Sequence, residues 1–304
     1  MRLSIGMPVY NGENYLAEAI KSVLDQTYGD FTLYISDNGS TDSTPQICRE
    51  LADSDSRIVF ERHDENRGAA WNYERVRELG AGTELFKWAA HDDVLAPTFL
   101  ERCIGALDAN PDAALAFAGV AAIDSHGTVT RIKHRLVHPM APTPHKRFRQ
   151  VVMSDANCDA VFGVMRWSAL RHTRGHGDYC AADRVFLAEL AIMGPFVEVP
   201  EVLFLNRDHP ARSTKVTGGD FRRLTAWFNP DRPEQFAPYW RLWREYAEAA
   251  RRAPVSERER RLLYRELAWY LPRNARRLVG DLGFAATRVL RPWRAPSGEA
   301  APVS

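Results

Sequence analysis

Three groups of acidic and amide residues stand where they could do chemistry. His91-Asp92-Asp93 closes the apolar run Leu85–Ala89. Such a run suits a strand, whose successive side chains alternate faces, so one carboxylate can enter a cleft while the other braces the loop. A hard divalent cation held by one or two carboxylates plus phosphate oxygens is the usual magnesium arrangement. An N-cap for a helix starting near Pro97 is the other reading of the pair. Asp37, within Ser36-Asp37-Asn38-Gly39-Ser40, stands in good turn sequence, and a turn is compatible with a ligand contact. Asp183 opens an expected helix with Phe186, Leu187 and Leu190 at i+3, i+4 and i+7, so it points inward. There it is either a partner of the helix N-terminal dipole or a functional acid. With no GxGxxG after the first strand and no GxxxxGK[ST] anywhere, the dinucleotide fingerprint and the P-loop are both excluded.

The elements that must position these residues alternate. Strands are expected at Leu3–Val9, Phe31–Ile35, Ile58–Phe60 and Leu85–Ala89. Helices are expected through Leu16–Gln26, around Ile47–Leu51, from Ala69 to Leu79 and over Phe99–Leu107. Alternation of this kind is the signature of βαβ units, hence a mostly parallel sheet with helices on both faces and its ligand at the carboxyl ends of the strands. The polar clusters fall at those ends: Tyr10-Asn11, Ser36 to Ser40, Asn66-Arg67-Gly68 and His91-Asp92-Asp93. Their common register favours a site over a set of unrelated caps.

A further strand is expected over Ala113–Asp124, with a turn at Ser125-His126-Gly127 into Thr128–Lys133. Residues 131–149, with Arg131, Lys133, Arg135, Lys146, Arg147 and Arg149 and no acid, read as a flexible basic loop, either a solvated connector or a lid over an anion. A strand around Ala160–Met165, a helix Ala181–Met193 and an extended run Phe196–Leu205 follow. Beyond Gly218-Gly219 the composition turns to Trp, Tyr, Leu and Arg, a helical appendix.

With 304 residues and 45% apolar content, the chain can bury a large core. Its 40 basic and 39 acidic residues deny it the cationic footprint of a nucleic-acid binder. The four cysteines form no CxxC pair, so reduced thiols in a cytoplasmic protein are expected. No stretch reaches a membrane span or resembles a signal peptide. Residues 241–304 carry 14 Arg and 7 acids. That stretch suits core packing or self-association better than peripheral contact with an anionic membrane. His172 and His176 lack ligand spacing and read as surface residues.

Taken together, Met7-Pro8-Val9-Tyr10-Asn11-Gly12, Ser36-Asp37-Asn38-Gly39-Ser40-Thr41-Asp42, Asn66-Arg67-Gly68 and His91-Asp92-Asp93 resemble the nucleotide-sugar-binding half of the family 2 glycosyltransferases, over about residues 1–210. The resemblance implies the GT-A fold. With the composition shift at Gly218-Gly219, the expected division is residues 1–217, with a donor half 1–110 and an acceptor half 111–217, and an Arg-rich helical extension 218–304. By resemblance Pro8, Tyr10, Asn11, Asp37 and Asn38 hold the nucleoside, with Arg67 beside it, Asp92 on the ribose side and Asp93 on a Mn2+ or Mg2+ ion in a DXD-like motif. Where the family pattern has Asp-Asp-Gly-Ser, this chain has Asp37-Asn38-Gly39-Ser40. Arg207-Asp208-His209-Pro210, with Ser213, resembles the segment that folds back over the diphosphate, making His209 a metal or phosphate partner.

The same resemblance makes Asp183 the catalytic base, although the family's Glu-Asp pair is Ala182-Asp183 here. Asp178 and Asp159 are the next candidates. The implied reaction is inverting transfer of a sugar from a nucleoside-diphosphate donor, UDP first and GDP or dTDP after it, to a hydroxyl acceptor. A non-catalytic nucleotide-sugar binder and a nucleotidyltransferase are the alternatives.

Overall fold

The computed structural model describes residues 1–134, 136–210, 212, 215 and 237–289, without the side chains of 284–289. Arg135, Ser213 and the expected junction at 218 lie outside the described residues.

The first half follows the expected alternation: β1 (Leu3–Val9), α1 (Leu16–Leu24), β2 (Phe31–Asp37), α2 (Thr44–Ser54), β3 (Ile58–Arg62), α3 (Ala69–Leu79) and β4 (Leu85–Trp88). β1 pairs in parallel with β2 on one side and β4 on the other, and β2 pairs in parallel with β3. Leu3, Ile5, Met7 and Val9 bury one face of β1 under α1, whose Leu16, Ala19, Ile20 and Val23 recur at helical spacing. On the opposite face Gly6 lets α3 approach: a Cβ there would sit 2.8 Å from Val76. Pro8, which has no N–H to give, lies beyond the end of the β1–β4 ladder at Gly6–Trp88, where β1 has one neighbour.

The chain then adds β5 (Val94–Leu95), α4 (Phe99–Ala109), β6 (Leu115–Ile123), β7 (Val129–Lys133), α5 (Pro144–Val152), a 3-10 turn (Asp159–Phe162), β8 (Val164–Arg166), α6 (Trp167–Leu170), α7 (Ala182–Met193) and β9 (Phe196–Arg207). These strands complete one sheet in the order β3-β2-β1-β4-β8-β6-β9-β5, with β7 paired to β6. β6 runs parallel to β9 and antiparallel to β7 and β8, which makes this half mixed.

Two expectations fail here. The basic segment 131–149 is not a loop throughout, because Pro144 opens α5, which buries Phe148, Val151 and Val152 in the core. Its Arg147 is buried as well, and the guanidinium donates to the carbonyls of Ala191 (2.7 Å) and Ile192 (3.1 Å) at the end of α7. The expected strand Ala160–Met165 starts instead as the 3-10 turn and extends only from Val164.

Helices α8 (Pro238–Arg252), α9 (Glu257–Ala268), α10 (Tyr270–Arg273) and α11 (Ala275–Val289) form the helical appendix. Leu242, Tyr246, Leu263, Leu267, Tyr270 and Leu278 join the same core cluster as α5 and α7. Much of the appendix's apolar content is therefore spent on packing.

Candidate active site

The carboxyl ends of β1, β2 and β4 bring the polar clusters together. Asn11 adopts a left-handed conformation, φ 48°, which asparagine tolerates. Its N–H donates to Ser40 Oγ at 2.9 Å, and its Oδ1 accepts the Thr41 N–H at 2.9 Å, so the loops after β1 and β2 are tied to each other. Half-buried Tyr10 stands beside this tie.

Asp37, the last residue of β2, is fully buried. Oδ1 accepts the Ser40 N–H at 3.0 Å, while Arg62 lies 3.4 Å from Oδ2. Oδ2 itself has no hydrogen-bond partner among the described residues, an acceptor left for a ligand's donor. Asn38 is buried beneath the next loop: Nδ2 donates to Asn66 Oδ1 (2.9 Å) and the Gly68 carbonyl (3.1 Å), and Oδ1 accepts the Arg67 N–H (3.1 Å). A carboxylate has no donor for two acceptors, which explains the amide at a position where the family pattern has an acid. Gly39, φ 76°, passes so close to this loop that a Cβ would meet the Glu65 backbone at 2.7 Å.

Arg67 leaves that loop with its guanidinium 4.9 Å from the Trp71 ring centre. Both residues line a cavity of about 470 Å3 between α3, residues 174–179 and α7. Neither Asp92 nor Asp93 lines this cavity; Asp178, Tyr179 and Arg241 do.

Beyond β4 the two carboxylates part. Asp92 Oδ2 meets His209 Nε2 at 3.0 Å, and although burial pushes its carboxyl up, the His209 hydrogen bond and nearby cationic groups hold it below the usual range. Asp93 is buried, with Oδ1 and Oδ2 3.1 and 3.2 Å from the Asn206 amide nitrogen and the Arg207 N–H 2.7 Å from Oδ1. Burial, and then the charge of Asp92, push Asp93 up to about 7.

Asn206 is itself held by Lys133, whose Nζ donates to its Oδ1 at 2.7 Å and to both oxygens of Asp159 at 2.9 and 3.0 Å. Asp159, a reserve candidate for the base, is committed to this ion pair. Arg207 is buried, stacked 4.7 Å from the Tyr15 ring, and bonded to Glu18, the Asp92 carbonyl and the Asp124 carbonyl.

Asp183 lies in the first turn of α7, just after Ala181 in a left-handed conformation, φ 61°. It is half-buried, its Oδ1 accepts the Arg184 N–H at 2.8 Å, and its charge acts on His176, Cys158 and Tyr73. Tyr73 connects the two halves: burial pushes its phenol well up, and Asp92, Asp93 and Asp183 all push it further.

His176 corrects its surface reading. It is buried 4.5 Å from Tyr73 and 5.8 Å from Trp88, ring centre to ring centre, and burial holds its imidazole down at about 4 against the pull of Asp183. The aromatic shelf on α3 and β4 that covers it is not visible in local sequence. Lys133 and Asn206 carried no local motif either.

A sequence profile of glycosyl transferase family 2 matches residues 4–172. An uncharacterized glycosyltransferase of Rickettsia typhi is 38% identical over 106 residues, 35% of this chain and 32% of that protein. One from Methanocaldococcus jannaschii is 30% identical over 131 residues, 42% of this chain and 45% of that protein. The aligned parts thus span less than half of these relatives' own length. Among solved structures, S. aureus TarS in complex with UDP-GlcNAc matches with a TM-score of 0.66 at 14% identity, covering 93% of this chain and 80% of that one. The Pyrobaculum calidifontis mannosyltransferase PcManGT, in complex with GDP-Man and Mn2+, matches with a TM-score of 0.55 at 16% identity, covering 96% and 76%. The fold and the order of its loops define a GT-A glycosyltransferase architecture. The chain belongs to glycosyl transferase family 2.

Proposed function

We propose that the chain is a metal-dependent, inverting glycosyltransferase that moves a sugar from a nucleoside diphosphate to an acceptor hydroxyl. The observation that carries this reading is the gathering of the polar loops at the carboxyl ends of the strands, where Asn11 is tied to Ser40 and Thr41 and Asp92 to His209, with the charges of Asp92, Asp93 and Asp183 all acting on Tyr73.

The donor set suits a hard divalent cation, Mn2+ or Mg2+. Burial, and then the charge of Asp92, push Asp93 up to about 7, and a cation beside it would favour the charged carboxylate. Among the described residues no three His, Cys, Asp or Glu side chains gather as a complete metal cage, so Asp93 would be one of few protein ligands beside the phosphate oxygens. Asp93 would hold it, with His209 in reach through Asp92. When bound, the ion would offset the charge gathering on the diphosphate leaving group.

The chain's own groups do the rest. Asp37 Oδ2 offers an acceptor to the nucleoside, Asn11 and Asn38 fix the loops that frame it beside Pro8 and Tyr10, Arg67 borders it, and Asp92 faces the ribose. Asp183 takes the acceptor hydroxyl's proton as that oxygen attacks the anomeric carbon, and the carbon's bond to the diphosphate breaks in the same step. UDP is the first choice of carrier, with GDP or dTDP next, since the structural neighbours bind UDP-GlcNAc and GDP-Man.

Thermal-shift titration with UDP, GDP and dTDP, with and without Mn2+, tests the reading. Metal-dependent stabilisation by one diphosphate, abolished in Asp93→Ala, is expected, followed by turnover of its sugar conjugates. Stabilisation by triphosphates alone would overturn it.

A further inference from the structure

We infer that the outward face of residues 269–283 docks on a bilayer containing anionic lipid. The inward face of this stretch is fixed first. Tyr270, Asn274, Leu278 and Asp281 recur at three- and four-residue spacing and are buried. The Asp281 carboxylate accepts the Tyr239 and Trp240 N–H groups at 2.8 and 3.3 Å, at the first turn of α8, and the Trp240 indole donates to the Leu278 carbonyl at 3.1 Å. The helices α10 and α11 are therefore anchored, and their other face cannot turn inward without breaking these bonds.

That other face has an unusual make-up. Trp269 is 57% exposed, Val279 68% and Leu282 55%, three large apolar side chains within 14 residues. Between them stand exposed Arg273, Arg276 and Arg277, and each remaining exposed residue of 269–283 is Pro, Ala or Gly. The one acid of the stretch, Asp281, is the inward anchor. Arg273 also meets exposed Asp155 at 2.7 Å, a surface pair that costs little to exchange for a lipid phosphate.

The charge selects the occupant. A second copy docked about a twofold axis would set this all-cationic face against itself. A nucleic acid would leave Val279 and Leu282 unused. An anionic leaflet satisfies both kinds of residue, with guanidiniums at the headgroups and Trp269, Val279 and Leu282 at the acyl boundary, where indole rings favour the interface. No helix among the described residues is long and apolar enough to cross a membrane, so the contact is made by a helix lying on the surface.

Co-sedimentation of the full chain with phosphatidylglycerol–phosphatidylcholine vesicles and with pure phosphatidylcholine vesicles, at low and high salt, is the test. Wild type should bind the anionic vesicles and release them in high salt. Partitioning should fall at least about tenfold in Arg273→Glu/Arg276→Glu and drop clearly in Trp269→Ser/Val279→Ser. Unchanged melting temperatures would show that both variants are folded. Equal binding to neutral vesicles, no binding to anionic ones, or unimpaired binding by the charge-reversed variant would overturn the inference. So would a wild-type dimer in sedimentation velocity that Trp269→Ser/Val279→Ser makes monomeric, which would give the face to a second copy.

Discussion

Lys133 Nζ donates to Asn206 Oδ1 at 2.7 Å, and this bond sets which end of the Asn206 amide faces Asp93. With its oxygen committed to Lys133, the amide has only its nitrogen to present, 3.1 and 3.2 Å from the two Asp93 oxygens. Asp159 holds Lys133 in turn. A chain of polar contacts therefore runs from Asp159, at the start of the 3-10 turn, through Lys133 and Asn206 to Asp93, the carboxylate proposed to hold the metal.

Lys133→Met should damage both the fold and metal affinity. Lys133 and Asp159 are 8% and 10% exposed, so removing one partner strands a buried charge, at a cost of about 3–5 kcal/mol. The double variant Lys133→Met/Asp159→Leu should regain much of that stability, because no charge is left unpaired. Mn2+ affinity should stay weak in the double variant, since the Asn206 amide is then free to turn. Urea melts and Mn2+ titration of both variants check this. Wild-type metal affinity in the double variant would confine the chain of contacts to a stabilising role.

The first half of the chain, from β1 to β4, was legible because its signals are local. Each strand, polar cluster and helix falls within about 30 residues, and apolar spacing sets the side that each helix buries. Lys133 and Asn206 are 73 residues apart and meet only once β7 and β9 flank β6. Basic composition concealed α5 for a related reason: Arg147 reads as solvated until the carbonyls at the end of α7 are in place to receive it. His176 reads as exposed for want of a neighbour that only the fold supplies. Asp37 and Asn38 form one turn motif in sequence, yet the structure gives them different work. Asp37 keeps an oxygen that accepts no hydrogen bond and has only the Arg62 charge near it, whereas Asn38 spends its whole amide on the Arg67 loop.

Asp37→Asn separates ligand binding from turn formation. The asparagine oxygen can still accept the Ser40 N–H, while the oxygen that faces Arg62 and accepts no hydrogen bond is replaced by a donor. A hydrogen bond to a charged group is worth about 1.5–3 kcal/mol, so nucleoside diphosphate affinity should fall by roughly ten- to a hundredfold, beside a separate loss of stability from the broken Arg62 ion pair. Calorimetric titration with UDP and GDP measures it. A loss of stability with intact affinity would leave Asp37 only its turn.

Acid should destabilise the protein through His176. The imidazole is held down at about 4 in the fold against 6.5 in the open chain, so between those values the unfolded state binds the extra proton. Stability is then fully present above about pH 6.5 and is lost as pH falls toward 4. A shift of this size corresponds to roughly 3 kcal/mol. Urea midpoints across the window should decline for wild type and flatten in His176→Phe, which keeps an aromatic ring on Tyr73 and Trp88 but cannot titrate. Parallel curves for the two proteins would assign the acid sensitivity to other groups.

Asp183→Asn should keep donor and metal binding while removing most transfer. The side chain sits in the first turn of α7, and its charge reaches Tyr73, which also senses Asp92 and Asp93. Asparagine preserves the volume and the acceptor oxygen that meets the Arg184 N–H, so α7 should still begin at Ala182. What it loses is the basic oxygen for the acceptor hydroxyl's proton. General-base help is worth about 10²–10⁴-fold, and the loss should appear in kcat with donor Kd little changed. If Asp183 served only the helix dipole, the same change would cost about 0.3–1 kcal/mol of stability and leave transfer nearly intact. Single-turnover transfer at saturating donor distinguishes the two. Near wild-type rates would move the base to Asp178, which lines the adjacent cavity 3.7 Å from Arg241, because Asp159 is held by Lys133.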